Sequence, residues 1–133
     1  MGEDGPTHHG MLDLTYLMCV PNMIVAAPRD GDELRDLLYT AIQQNEKPFA
    51  IRYPRESVPR PVTEGRALST IPIGSWETLS DGDDVAILAT GTMVEAALSA
   101  VTMLSEQGCT ASVINARFVK YGSRRAAERQ RTL

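Results

Sequence analysis

Close to the start of the chain, the run GEDGPTHHG gathers Asp4, His8 and His9 among glycines and a proline. A histidine exchanges protons near neutral pH, and an aspartate can orient it or accept a hydrogen bond from a substrate hydroxyl. The same residue types also make an ordinary polar turn, in which Gly and Pro set the backbone, so the loop alone admits both roles. Neighbouring histidines point in different directions, so His8 and His9 are not expected to share a metal. No Cys, Asp or Glu spacing completes a zinc site, and no metal site is expected. A second group is RYPRES, residues 52–57. There Pro54 stiffens the backbone before Arg55, whose planar fork suits a phosphate or carboxylate. The plainer alternative is a surface arginine paired with Glu56, and Arg52 serves equally well as an ion-pairing residue inside the fold. A third, weaker pattern is ATGTMVEAA, where a glycine before a helix leaves N–H groups for an anion; Thr92 as an ordinary cap is the competing explanation. No Walker lysine and no dinucleotide glycine triplet is present.

These residues need elements to aim them. GMLDLTYLMCV carries apolar residues at 12, 16, 17 and 20, which predicts a short helix packed on one face. NMIVAAP is a continuous apolar run stopped by proline, as in a strand buried on both faces. Asp30 and Glu33 form a capping box for a helix whose expected buried face is Leu34, Leu37, Leu38, Ala41 and Ile42. FAIRY is the next strand, so RYPR falls at the C-terminal end of a parallel strand, where open α/β sheets bind ligands. Prolines and glycines between Glu56 and Asp84 predict a connector with at most a short strand near Ile71–Ile73. DVAILATG then reads as a buried strand. TMVEAALSAVTMLSEQG reads as a helix capped by Thr92 and Glu95 and closed by Gly108, and TASVINARFV as another strand. The fold class is α/β, built from parallel-sheet βαβ units. The expected division is 1–56, a linker over 57–84, a second unit over 85–120, and an off-pattern basic tail over 121–133. That tail is either solvated or a basic docking segment.

Composition bounds the partners. A formal charge of −4 and a hydrophobic content of 43% suit a globular protein and give no case for nucleic acid or membrane binding. No apolar run nears the roughly 20 residues of a membrane-spanning helix, and no signal-peptide pattern opens the chain. The expected location is the cytoplasm, with Cys19 and Cys109 as buried thiols in preference to a disulfide.

The DGPTHHG loop, the DLTYL helix, the VPNM strand and the RYPR turn stand in the order and spacing of one family, which VAILATGTMVEAAL and VINARFVK extend. Over residues 2–120 the chain resembles the 1-deoxy-D-xylulose-5-phosphate synthases, thiamine-diphosphate-dependent members of the transketolase-like enzymes. The resemblance implies part of a pyrimidine-binding domain followed by the start of a transketolase C-terminal domain. It implies condensation of pyruvate with glyceraldehyde 3-phosphate, with loss of carbon dioxide, at the head of isoprenoid, thiamine and pyridoxal synthesis. His8 matches the active-site histidine, Asp4 the loop aspartate near the substrate, and Arg55 the arginine that holds the aldehyde's phosphate, while His9 stays unassigned. Thiamine diphosphate and Mg²⁺ serve the full-length family, but their binding residues fall largely outside this chain, so no cofactor-binding residue is assigned. A homodimer is implied at full length, and a plastid location if the source is a plant. Three positions depart from the pattern: Met18 replaces a common arginine, Glu56 the usual glycine, and Tyr121 the expected proline. The expectation is a truncated or frameshifted product, inactive alone. Another transketolase-like enzyme and a non-catalytic relic or binding module are the alternatives.

Overall fold

The computed structural model describes residues 5, 8–55, 57 and 60–120. Asp4, Glu56 and the tail 121–133 lie outside the described residues. The elements run α1 (Asp13–Cys19), β1 (Ile24–Ala26), α2 (Gly31–Gln43), β2 (Phe49–Ile51), β3 (Glu77–Ser80), β4 (Val85–Ala89), α3 (Met93–Ser105), β5 (Ala111–Asn115) and β6 (Phe118–Lys120). They make two three-stranded sheets, in the orders β2-β1-β6 and β3-β5-β4. In each, one βαβ unit supplies a parallel pair: Ile24 opposite Phe49 in β1–β2, and Val85 opposite Ala111 in β4–β5. An antiparallel strand then joins the central strand, β6 on β1 and β3 on β5. The α/β class and the expected parallel pairs are as the sequence indicates.

TASVINARFV is two strands, not one. Ala116 and Arg117 break the run, and the chain passes from the second sheet to the first, where Phe118 is fully buried with Ile24, Ala26, Leu37 and Ile71. Phe49 meets the Phe118 ring edge-on at 6.2 Å, and Trp76 Nε1 donates to Phe118 O at 2.9 Å. Lys120 Nζ then donates to Met18 O and Val20 O, closing the open carbonyl end of α1 from across the sheet.

The apolar face expected of α2 is not the face it buries. Leu37 is buried, but Leu38 and Ile42 are exposed, and the inward positions include Glu33, Asp36 and Thr40. The reason is the connector. Residues 63–71 run along α2 without a strand partner, so their backbone N–H groups need acceptors elsewhere. Asp32 accepts from Thr63 N at 3.1 Å, Asp36 from Ser69 N at 3.1 Å, and Thr40 Oγ1 from Ile71 N at 2.8 Å. Arg66 completes the seam with an ion pair to Asp36 at 2.8 Å. The connector's strand also lies later than expected, at Glu77–Ser80, while Ile71 is a core residue.

Burial pushes the Asp36 carboxyl up, but the Ser69 N–H and the Arg66 guanidinium outweigh it and hold its pKa below the usual carboxylate range. Such a group contributes stability that is present above the ordinary carboxylate pKa and lost as pH falls through the lowered one. Asp36→Asn should therefore lower unfolding free energy by about 1.5–3 kcal/mol at pH 7. Urea titrations at successively lower pH should show the difference from wild type closing as Asp36 protonates.

Four further expectations need correction. The capping box is only half formed: Asp30 accepts from Glu33 N at 2.9 Å, but Glu33 reaches past the cap to Arg29 N at 2.7 Å. β4 is an edge strand among the described residues, with Val85 and Leu88 exposed, because they pair it on one side only and α3 packs chiefly over β5. The helix α1 forms, yet buries no residue; Leu12 and Tyr16 remain 68% and 56% exposed. Cys19 is exposed and Cys109 half-buried, both as thiols. Gly108 does close α3, at φ +77, with Cys109 N donating to Leu104 O.

Candidate substrate site

The first sheet ends its parallel pair at Ile51, and Arg52 N still donates to Ala26 O at 2.8 Å. Pairing stops there, so the following turn projects from the C-terminal edge of β2 with Arg55 exposed. The histidine loop arrives at the same edge. His8 N donates to Gly5 O at 3.1 Å and Asp13 N to Gly10 O at 3.3 Å, so a turn leads directly into α1. Gly10 has φ +67, and a Cβ placed there would stand 2.4 Å from Asp13 Oδ2 and 3.4 Å from Arg52 Nη2. A side chain there would have to adopt this left-handed backbone and push the Asp13 carboxylate aside, which favours glycine. Tyr16 OH donates to Asp13 Oδ1 at 2.6 Å, and that bond to a carboxylate raises the phenol's pKa.

Gly10 and Arg52 thus join the two short segments that carry His8 and Arg55, both of them exposed. Asp4 lies outside the described residues. His9 turns inward, its Nε2 buried with no hydrogen-bond partner among the described residues. The inward role of Arg52, open in the sequence, is toward Gly10 beside Asp13. The third pattern resolves differently from either expectation: Thr92 makes no side-chain cap, Met93 N and Val94 N donate to Thr90 O and Gly91 O, and Glu95 pairs with Arg60.

Sequence reasoning missed a charged joint at the foot of α2, facing an open polar cavity of about 540 Å³. Glu33 Oε1 accepts from Asn115 Nδ2 at 2.8 Å and from Arg117 Nη1 at 3.3 Å. Arg117 also bonds Ser75 O and Ser75 Oγ, each at 3.0 Å, and lies 3.4 Å from Glu77. Arg29 reaches Glu77 at 3.3 Å. Burial drives the Glu33 pKa up, against the opposing pull of the Arg29 N–H and the Arg117 guanidinium. The one local signal was an arginine interrupting an apolar strand run.

A family model described as the transketolase pyrimidine-binding domain matches residues 1–61, and one described as the transketolase C-terminal domain matches residues 74–130. The chain belongs to the transketolase family, as adjoining segments of those two domains. Within that family it is similar to curated 1-deoxy-D-xylulose-5-phosphate synthases. The Aquifex aeolicus relative is 55% identical over 120 residues, covering 90% of this chain and 19% of the relative. The Thermomicrobium roseum relative is 53% identical over 123 residues with the same coverage. This chain therefore spans about a fifth of the length of those relatives. Among solved structures, a split gene transketolase described as an inactive β4 tetramer superposes with a TM-score of 0.85 at 30% identity, over 96% of this chain and 41% of that one. A Pichia stipitis transketolase complex with sedoheptulose 7-phosphate superposes at 0.75 and 29% identity, over 98% and 19%.

Proposed function

We propose that the chain carries the acceptor-substrate side of a 1-deoxy-D-xylulose-5-phosphate synthase, the reaction that joins pyruvate to glyceraldehyde 3-phosphate with loss of carbon dioxide. The observation that supports it is the meeting of the histidine loop and the RYPR turn at one strand edge through Gly10 and Arg52. Arg55 receives the aldehyde's phosphate by charge-assisted hydrogen bonds. His8 holds or delivers a proton at the aldehyde oxygen, and Asp4 orients the substrate beside it. Residues 1–56 then close a pyrimidine-binding domain, 57–84 link while supplying β3 to the second sheet, and 85–120 begin the C-terminal domain while lending β6 to the first, in a cytoplasmic homodimer at full length.

The family depends on thiamine diphosphate, which supplies the nucleophilic carbon when bound. A magnesium-borne diphosphate needs clustered oxygen ligands. Among the described residues no three His, Cys, Asp or Glu side chains could hold a metal ion. These residues do not fit the cofactor's metal end, and their assigned roles concern the aldehyde alone.

The test is a chimera in which residues 1–120 replace the matching segment of the Aquifex aeolicus relative. It should release carbon dioxide from pyruvate only when the phosphorylated aldehyde, thiamine diphosphate and magnesium are all present. The 133-residue chain alone, given the same components, should release none. A folded, cofactor-loaded chimera with no turnover would overturn the proposal, as would turnover by the chain alone.

A further inference from the structure

The two arginines of the RYPR turn differ in surroundings: Arg55 is exposed, whereas Arg52 is half-buried with its guanidinium on the bare face of Gly10. We infer that Arg52 is a positioning residue, a latch that holds the His8–Gly10 turn against the end of β2 so that His8 meets the aldehyde that Arg55 has bound. This rests on the acceptor-site reading above and adds a division of labour within one turn.

Three features carry it. The backbone of Arg52 is fixed by its N–H bond to Ala26 O at 2.8 Å, so its side chain starts from the rigid sheet and not from a loop. Gly10, at φ +67, leaves its face bare, and Arg52 Nη2 lies 3.4 Å from where a Cβ would stand, so the guanidinium sits beside the histidine turn at van der Waals range. Asp13 presses on the same glycine from the helix side and is itself held by Tyr16 OH at 2.6 Å. A carboxylate anchored to α1 and a guanidinium anchored to β2 therefore converge on one residue. A side chain at position 10 would meet Asp13 Oδ2 at 2.4 Å and push it aside, opening the packed turn, while Arg52 Nη2 at 3.4 Å would stay in ordinary contact. His8 lies two residues from the clamped glycine, so a small rotation there moves its imidazole by ångströms, enough to cost much of the rate.

The chimera provides the test. In Arg52→Ala, kcat should fall about tenfold while KM for glyceraldehyde 3-phosphate changes less than about threefold. Arg52→Lys should recover part of the loss, since a shorter-reaching cation still lies on the glycine. A second readout needs no turnover: carbethoxylation of His8 by diethylpyrocarbonate, followed by mass spectrometry in the folded chimera, should be several-fold faster in Arg52→Ala. Gly10→Ala should reproduce that faster labelling with Arg52 intact. A large rise in aldehyde KM at unchanged kcat would make Arg52 a phosphate ligand and overturn the latch. So would unchanged His8 labelling in both variants, whatever the activity. If the chimera is inactive but labelling changes as stated, the latch stands and the acceptor-site proposal falls.

Discussion

In Arg117→Ala, the amides that pair β1 with β6 should lose two to three powers of ten of hydrogen-exchange protection. Removing one partner of a buried ion pair costs about 3–5 kcal/mol, because the other charge stays buried without its counter-ion. Arg117 is the bridge at which Glu33 of α2, Ser75 and Glu77 of the connector, and the β5–β6 turn meet. Its own carbonyl accepts from Ala27 N at 2.8 Å, so the pairing of the two strands starts at this residue. The variant should also acquire a distinctive pH response. Glu33 already has a raised pKa, and loss of the cation raises it further. The folded state then binds the Glu33 proton more tightly than the unfolded state does. Stability from this group is full below the ordinary carboxylate pKa and is lost as pH rises through the raised one. Lowering the pH from 7 to 5 should therefore restore part of the lost protection in Arg117→Ala. Adding Glu33→Gln should cost far less than the sum of the single changes. Equal protection in wild type and Arg117→Ala would show that the joint does not hold the sheets together.

The second large effect is expected on the aldehyde. In the chimera, Arg55→Ala should lower kcat/KM for glyceraldehyde 3-phosphate by about one to two powers of ten, since charge-assisted hydrogen bonds contribute roughly 1.5–3 kcal/mol each. Most of the loss should fall on KM for the aldehyde, with pyruvate little affected, because a phosphate handle is bound equally in ground and transition states. His8→Ala should instead lower turnover. Kinetics with glyceraldehyde in place of its phosphate decide the role of Arg55. An equal loss for both aldehydes would reduce it to a surface ion pair.

The elements were legible where local signals act alone. The apolar run at Ile24–Ala26, the α2 cap at Asp30 and the glycine stop at Gly108 all stand where the pattern put them. The failures have one physical source, which is partners distant in sequence. Periodicity assigns apolar residues to the inward face of a helix, but α2 meets a connector hungry for acceptors, so Asp36 and Thr40 face inward and Ile42, 71% exposed, does not. A run such as TASVINARFV looks continuous because each half is apolar, and nothing local says that its halves join different sheets. In the candidate site, residue type pointed to the histidine loop and the RYPR turn, and the family resemblance to His8 and Arg55 within them. The contact that brings their segments together is made by Gly10 and Arg52, and a glycine's empty space is not visible until its neighbours are placed.

The joint has a consequence in time as well as in space. Arg117 follows Glu33 by 84 residues. At a synthesis rate of about 5–20 residues per second, Arg117 is made roughly 4–17 s after Glu33. Secondary structure forms in microseconds, so α2 and the β1–β2 pair have ample opportunity to assemble long before their counter-ion and third strand exist. Throughout that interval none of the described residues yet made pairs the β1 edge that β6 later takes, and Glu33 has neither Arg117 nor Asn115 to meet it. Until then Glu33 keeps only its local bond from Arg29 N, and the arrival of Arg117 with β6 brings the counter-ion and the pairing of β1 together. The last strand to leave the ribosome among the described residues is thus the one that couples the acid of α2 to the pairing of β1.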